Sequence, residues 1–500
     1  IHEPVGVALL INHLQRIAKL PLLITADFEG GVGLRYLGAT RLPRAMAIGA
    51  TGDPEKAFQA GRICAAEARA MGINVNFYPV VDVNNNARNP IINIRSFGGD
   101  VALVSRMARA YIRGSQSAGV MSTAKHFPGH GDTSIDSHLE LPAIDVDRAR
   151  LEAVELPPFR AAIEEGVGGV MSAHIALPRI DTERLPATIS PKILTGVLRG
   201  ELGFKGVVFT DAMNMSGIVA HYPDGEAAVR AVKAGADVLL YPPNVERTFM
   251  AVKRAVQSGE IKESRIDESV RRILEAKARL ALDKTRFVDL NRLDQLLGTS
   301  EHQRLAREII EAGVTLVRDK RSVLPLKLTG EQKILFVTLV DNSEGWHDGV
   351  PGSVFLAGLQ SRHARTTHVH VSEKTSPAEF TLIDKLAALS DVVIVNGFIR
   401  VSAFKGSIDL SEGQINLLKH FSALEKPFVF VLYGSPYLIA FVPELPTYVL
   451  TYEYYPAAEE AALKGVLGEI PFKGKLPVEL PGFYKAGDSV TRTRAASIAR

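Results

Sequence analysis

Six apolar runs of strand length recur through the first 260 residues: "PLLITAD" (21–27), "NVNFYPVVD" (74–82), "VMSTAKH" (120–126), "GVMSAH" (169–174), "GVVFTD" (206–211) and "DVLLY" (237–241). Between them lie longer segments with helical spacing of apolar residues, at 100–118, 151–165, 190–202 and 244–258. Strands that alternate with helices are joined by crossovers, so the alternation predicts a parallel sheet. Most of the runs also end in a reactive polar residue: Asp27, Asp82, Lys125 with His126, His174 and Asp211. In a (β/α) barrel such ends converge on one face and carry the chemistry. A doubly wound open sheet offers a single crevice instead, and five polar ends fit the barrel better. A full barrel has eight strands where six are visible, and the chain opens at Ile1 rather than at methionine, so upstream residues are expected to supply at least one.

A helical segment at 263–282 closes this region, and periodicity then fades. Strand patterns resume at "KILFVTLV" (333–340), "THVHVS" (367–372), "DVVIVNGF" (391–398), "PFVFVLY" (427–433) and "TYVLTY" (447–452). The expected architecture is therefore α/β: an eight-stranded (β/α) TIM-like barrel over 1–282, a linker over 283–312, and a smaller αβα sandwich over 313–500. Two domains also suit 500 residues, which exceed what one core usually holds.

The net charge of +3 is spread without basic blocks, which argues against a nucleic-acid partner. No apolar run approaches the roughly 20 residues that span a bilayer. Cys64 is the single cysteine, so no internal disulfide can form, and its helical surroundings point to an inert buried thiol. Compartment and oligomeric state are left open by the sequence.

The densest chemistry lies in "KHFPGHGDTSIDSH" (125–138), with three histidines, two aspartates and a lysine. Three readings compete. A metal site would use His126, His130, Asp132, Asp136 and His138, yet no helical H-x-x-x-H or cysteine pair is present, so no metal is expected. A solvated turn explains Gly129 and Gly131 but not the histidines. An acid–base site draws on "DSH": a carboxylate at 136 fixes the tautomer of a histidine at 138 and raises its basicity. Asp211, at the end of a later strand, is the candidate reactive partner. Asp27 and Asp82 could instead be caps at strand-to-helix turns, the preferred reading for Asp82, and Arg95 could be a structural ion pair.

Together with "FTDAM" (209–213), "ADFEGG" (26–31), "NIRSFGGD" (93–100) and "VMSAHI" (170–175), this loop resembles glycoside hydrolase family 3, and within it the β-N-acetylglucosaminidase branch of the bacterial peptidoglycan-recycling type. The resemblance covers residues 20–280, and 310–500 look like the sandwich domain of two-domain members. It implies Asp211 as catalytic nucleophile, His138 as acid/base and Asp136 as its orienting carboxylate. It also implies Lys125, His126, Arg95 and Asp27 as groups gripping the terminal sugar, with His174 buttressing the floor. The implied reaction is retaining hydrolysis of terminal N-acetylglucosamine (GlcNAc) from an oligosaccharide, without cofactor. Alternatives on the same scaffold are a phosphorylase, a β-glucosidase, or a silent sugar-binding protein. The first motif departs from the family's habit of placing arginine directly after the two glycines, because Val32-Gly33-Leu34 precedes Arg35 here.

Overall fold

In a computed structural model of the chain, which describes residues 3–346, 349–402, 405 and 410–491, the polar-ended runs lie side by side in chain order. They are β1 (Thr25–Ala26), β2 (Val75–Asn76), β3 (Met121–Phe127), β4 (Gly169–Ser172) and β5 (Val207–Phe209), all parallel. The register runs Thr25 to Val75, Val75 to Met121, Thr123 to Gly169 and Gly169 to Val207. Phe209 also bridges Val238 in parallel, so the sixth run extends the same sheet. The result is a curled parallel sheet with six staves among the described residues, short of the eight of a closed barrel.

Side chains of alternate strand positions pack together: Val75, Phe77, Met121, Met171, Val207 and Phe209 form one apolar cluster with Ala276, and Leu23, Val238, Leu240 and Leu280 pack against it. Phe77 and Phe209 meet edge to face at 5.2 Å. The periodic segments form the expected crossovers, including helices Val101–Ser117, Leu156–Glu164, Val245–Gln257 and Glu263–Arg279. Two of them carry wide-turned stretches, Leu151–Glu155 and Lys192–Glu201.

The chain divides into two compact units, residues 1–45 with 53–306, and residues 46–52 with 307–500. The second unit holds a six-stranded sheet: β6 (Thr315–Asp319), β7 (Ile334–Val340), β8 (Thr366–Val371), β9 (Val392–Ile399), β10 (Phe428–Gly434) and β11 (Thr447–Leu450). Its order is β6-β11-β10-β9-β7-β8, parallel except for β6 against β11. Five of these strands match expected runs. β6 was not anticipated, because "TLVRD" is short, ends in two charges and follows helix Ser300–Gly313 with almost no turn signal.

At the start of the sixth run, the Asp237 side chain is fully buried. It receives Arg199 at 2.6 Å, Arg272 at 2.9 Å, the Ser269 hydroxyl at 2.6 Å and the Val208 amide at 3.0 Å. This carboxylate ties β5 to two surrounding helices. Removing one partner of a buried ion pair strands the others, so Asp237→Ala should cost about 3 kcal/mol of stability. Because this end of a barrel serves stability, its turnover number at moderate temperature should stay at the parent value. Urea denaturation alongside steady-state kinetics checks both halves.

Candidate active site

The site begins with a buried carboxylate that the sequence reading passed over. Glu29, three residues past the end of β1, accepts Arg95 through both oxygens at 2.8 Å and lies 2.9 Å from the Lys125 ammonium. Burial pushes its pKa up, but Arg95 and Lys125 more than offset that and hold it well below the usual carboxylate range. Lys125 also donates to Asp27 at 2.6 Å, and the two carboxylates raise its pKa against the opposing effect of burial. Four residues from three strand ends are thereby fixed in one charge network, and Asp27 keeps the most exposed face.

Asp82 is the clearest correction. The preferred expectation was a cap at a turn, yet its fully buried carboxylate accepts the His126 ring at 2.8 Å, the His126 amide at 3.1 Å and the His130 amide at 2.7 Å. A carboxylate only accepts, so His126 carries its proton on Nδ1 and turns Nε2 toward Arg95 at 3.4 Å. Desolvation works against the charge of Asp82, but the histidines it serves lower its pKa.

The loop from 128 to 138 is framed from inside. His130 sits between the hydroxyls of Thr133 (2.9 Å) and Ser137 (3.0 Å), and burial takes its pKa down to about 4, so it is neutral and structural. Asn89, also missed, donates to the carbonyls of His130 and Gly131 at 2.9 and 3.0 Å and accepts the amides of Ile91 and Ile92. The two glycines answer to close neighbours. A Cβ at Gly131 would fall 1.8 Å from the Val83 carbonyl oxygen, and one at Gly129 2.9 Å from the Glu155 side chain. At the loop's far end the Asp136 carboxylate, fully buried, accepts the His138 amide at 2.9 Å and its Nδ1–H at 2.8 Å, while the His138 ring is one-quarter exposed.

Asp211 follows β5. Its Oδ1 accepts the Ala212 amide at 2.8 Å, and its own amide bonds the Ser172 carbonyl at the end of β4. Burial would raise its pKa, but His126, His174, the Ala212 amide and Lys125 hold it below the usual range. His174 donates from Nε2 to the Ala212 carbonyl at 3.0 Å and meets Thr188 through Nδ1 at 2.9 Å, so it braces the turn that presents Asp211. The next turn reaches the histidine loop, with the Gly217 amide donating to the Ser137 carbonyl at 3.3 Å.

The structure thus gathers Asp27, Arg95, Lys125, His126, His174 and Asp211 at the C-terminal ends of one parallel sheet, with the Asp136–His138 pair on the loop after β3. Cys64 lies apart in the core, its thiol pushed up to about 12 by burial. Among the described residues no cluster of three or more histidine, cysteine or acidic side chains is arranged to hold a metal ion, and no helix is long and apolar enough to cross a membrane.

A carboxylate, an Asp–His pair and charged hydrogen-bonding groups at the ends of parallel strands are the kinds of group that glycoside cleavage uses. The profile of the glycosyl hydrolase family 3 N-terminal domain matches residues 5–276, and the chain belongs to that family. A β-N-acetylglucosaminidase/β-glucosidase of Cellulomonas fimi is 31% identical over 94% of this chain and 85% of its own length. Among solved structures, a family 3 β-N-acetylglucosaminidase from Paenibacillus superposes with a TM-score of 0.86 at 38% identity, covering 96% of this chain and 91% of that one. A β-glucoside phosphorylase superposes with a TM-score of 0.87 at 28% identity, covering 96% and 88%.

Glu29 and Asp82 have folded-state pKa values below their ordinary ones. The stability they contribute is present above the ordinary carboxylate range and is lost as pH falls through the lowered values. Thermal stability should therefore hold down to about pH 4.5 and fall steeply below it. Glu29→Gln should already be about 3 kcal/mol less stable at neutral pH and show a shallower acid decline. Melting temperatures of the two proteins across pH 3 to 7 test this.

Proposed function

We propose that the chain is an exo-acting β-N-acetylglucosaminidase that removes terminal GlcNAc with retention from cell-wall fragments or chitin-like oligosaccharides. The observation that carries this reading is the 2.8 Å Asp136–His138 pair on the loop after β3, in the same sheet whose β5 leads to Asp211. In the first step the Asp211 carboxylate attacks the anomeric carbon while His138 gives a proton to the departing oxygen. In the second, His138 takes a proton from water, which cleaves the glycosyl ester. Asp136 serves both steps by holding Nδ1–H, which directs exchange through Nε2. The lowered pKa of Asp211 suits a nucleophile that must be ionised at neutral pH. Asp27, Lys125 and Arg95 offer acceptors and donors to the sugar hydroxyls, and the β-N-acetylglucosaminidase names carried by relatives support GlcNAc as that sugar.

Asp211→Ala should fold and lose about four orders of magnitude in turnover, and a fluorinated GlcNAc analogue should label Asp211 in the parent enzyme. Label found on another aspartate would overturn the assignment. With nitrophenyl-GlcNAc, His138→Ala should release a burst of nitrophenol and then turn over slowly, because departure needs little protonation and hydrolysis of the ester needs the base. A second sugar as leaving group should lose the first step as well. Asp136→Ala should show a milder form. Equal slowing of both substrates with no burst would make the histidine structural.

A phosphorylase is the second reading, favoured by the β-glucoside phosphorylase neighbour and by the acid/base itself, since a neutral imidazole repels phosphate less than a carboxylate does. Product analysis in phosphate against an inert buffer separates the two. Sugar phosphate as the main product would replace hydrolysis.

A further inference from the structure

We propose that Glu155 is a positioning residue that sets the pose of the histidine loop through Gly129 and Arg150, and that its charge state tunes turnover on the alkaline side. The inference rests on the reading of His138 as acid/base.

Glu155 closes the wide-turned stretch Leu151–Glu155 that precedes helix Leu156–Glu164. Wide turns of this kind are often found at functional sites. Its side chain is 5% exposed and its stem fills the space that a side chain at Gly129 would need. Gly129, with φ at +130°, is where the chain leaves β3 and enters the histidine loop. One oxygen of Glu155 lies 3.4 Å from Arg150 Nη2, and the same nitrogen lies 3.3 Å from Asp132 of the loop. The other oxygen is buried and meets no hydrogen-bond partner. Two carboxylates therefore share one guanidinium nitrogen at long distances, an arrangement that adding a proton to one of them relieves.

The charged groups facing Glu155 are Arg150, from the helix before it, and Asp132, from the loop. Gly129 presents only backbone. Burial foremost, with Asp132 adding to it against Arg150, moves the Glu155 pKa up to about 7. When Glu155 is neutral, Arg150 belongs to Asp132, four residues from Asp136, and the loop root is held. When Glu155 ionises, it draws Arg150 away from Asp132, so the loop is held less firmly.

The sign for stability is the reverse of the usual carboxylate. A folded-state pKa above the unfolded one means that stability falls as pH rises from about 4.5 to about 7 and is lowest beyond. Glu155→Gln, which is neutral at every pH, should flatten that decline. It should also keep parental turnover at about pH 6 and gain roughly threefold over the parent at about pH 8.5. Glu155→Ala, which empties the space against Gly129, should lose turnover at both pH values with little change in KM. Rescue of that loss by Glu155→Gln, and not by the shorter Glu155→Asp, would separate a lever acting on the loop from a lost charge.

Acting through the acid/base, the gain from Glu155→Gln should vanish when His138 is also alanine. Turnover profiles of parent and Glu155→Gln that superimpose from pH 5.5 to 8.5 would overturn the proposal, as would a gain that persists without His138. The nitrophenol burst of His138→Ala is measured on the same preparations. Its absence would sink the His138 assignment. Superimposed profiles with the burst intact would sink the role of Glu155 alone.

Discussion

Glu29 can exist as a buried anion only because Arg95 and Lys125 both reach it. Taking a carboxylate out of water costs several kcal/mol, and that cost is offset only when geometry and hydrogen bonds are near ideal. Here Arg95 is bidentate at 2.8 Å and Lys125 approaches from β3. One anion therefore fixes three segments that are distant in sequence and leaves Asp27 oriented by the same ammonium. After His126, His174 and the Ala212 amide, the Lys125 so placed also helps to lower the pKa of Asp211 against its burial. The groups proposed to grip the sugar and the proposed nucleophile are linked through Lys125.

Much of this arrangement could be read from the chain. The period of the apolar runs set the parallel sheet, and the polar residue at each run's end marked which face carries chemistry. Side chains that need long-range partners were harder. Glu29 lies past its strand in a turn, where no periodicity applies, and its meaning comes only from Arg95, 66 residues away. Asp82 was visible as a strand end, but local reasoning favours a cap over an acceptor for a histidine 44 residues on. Asn89 and Glu155 are buried polar residues whose neighbours the topology supplies. The pair at 136 and 138 was legible because both partners are two residues apart. β6 escaped for a related reason, since its antiparallel pairing with β11 joins segments more than 120 residues apart and leaves only a weak local pattern.

The site divides its labour by mechanical stiffness. Most groups assigned to the sugar and the proposed nucleophile lie on or just past strand ends, while Arg95 is held from a short helical turn by Glu29 and the Ile91 carbonyl. The proposed proton shuttle sits on a loop, yet one framed by buried His130, Asn89 and Asp136, so that it is held without being part of the sheet. A shuttle must serve a departing oxygen in one step and a water in the next, which asks for a position supported from behind rather than locked into a strand.

The choice of imidazole for that shuttle fits the electrostatics around Asp211. A second carboxylate close by would raise the pKa of both acids and reduce the ionised fraction of the nucleophile. Imidazoles do the opposite. His126 and His174 already lower the pKa of Asp211 against the effect of its burial. A histidine acid/base, with its own carboxylate partner sequestered at Asp136, adds proton-transfer capacity without setting another anion against the nucleophile. The Asp136 carboxylate faces the His138 Nδ1–H at 2.8 Å instead of Asp211.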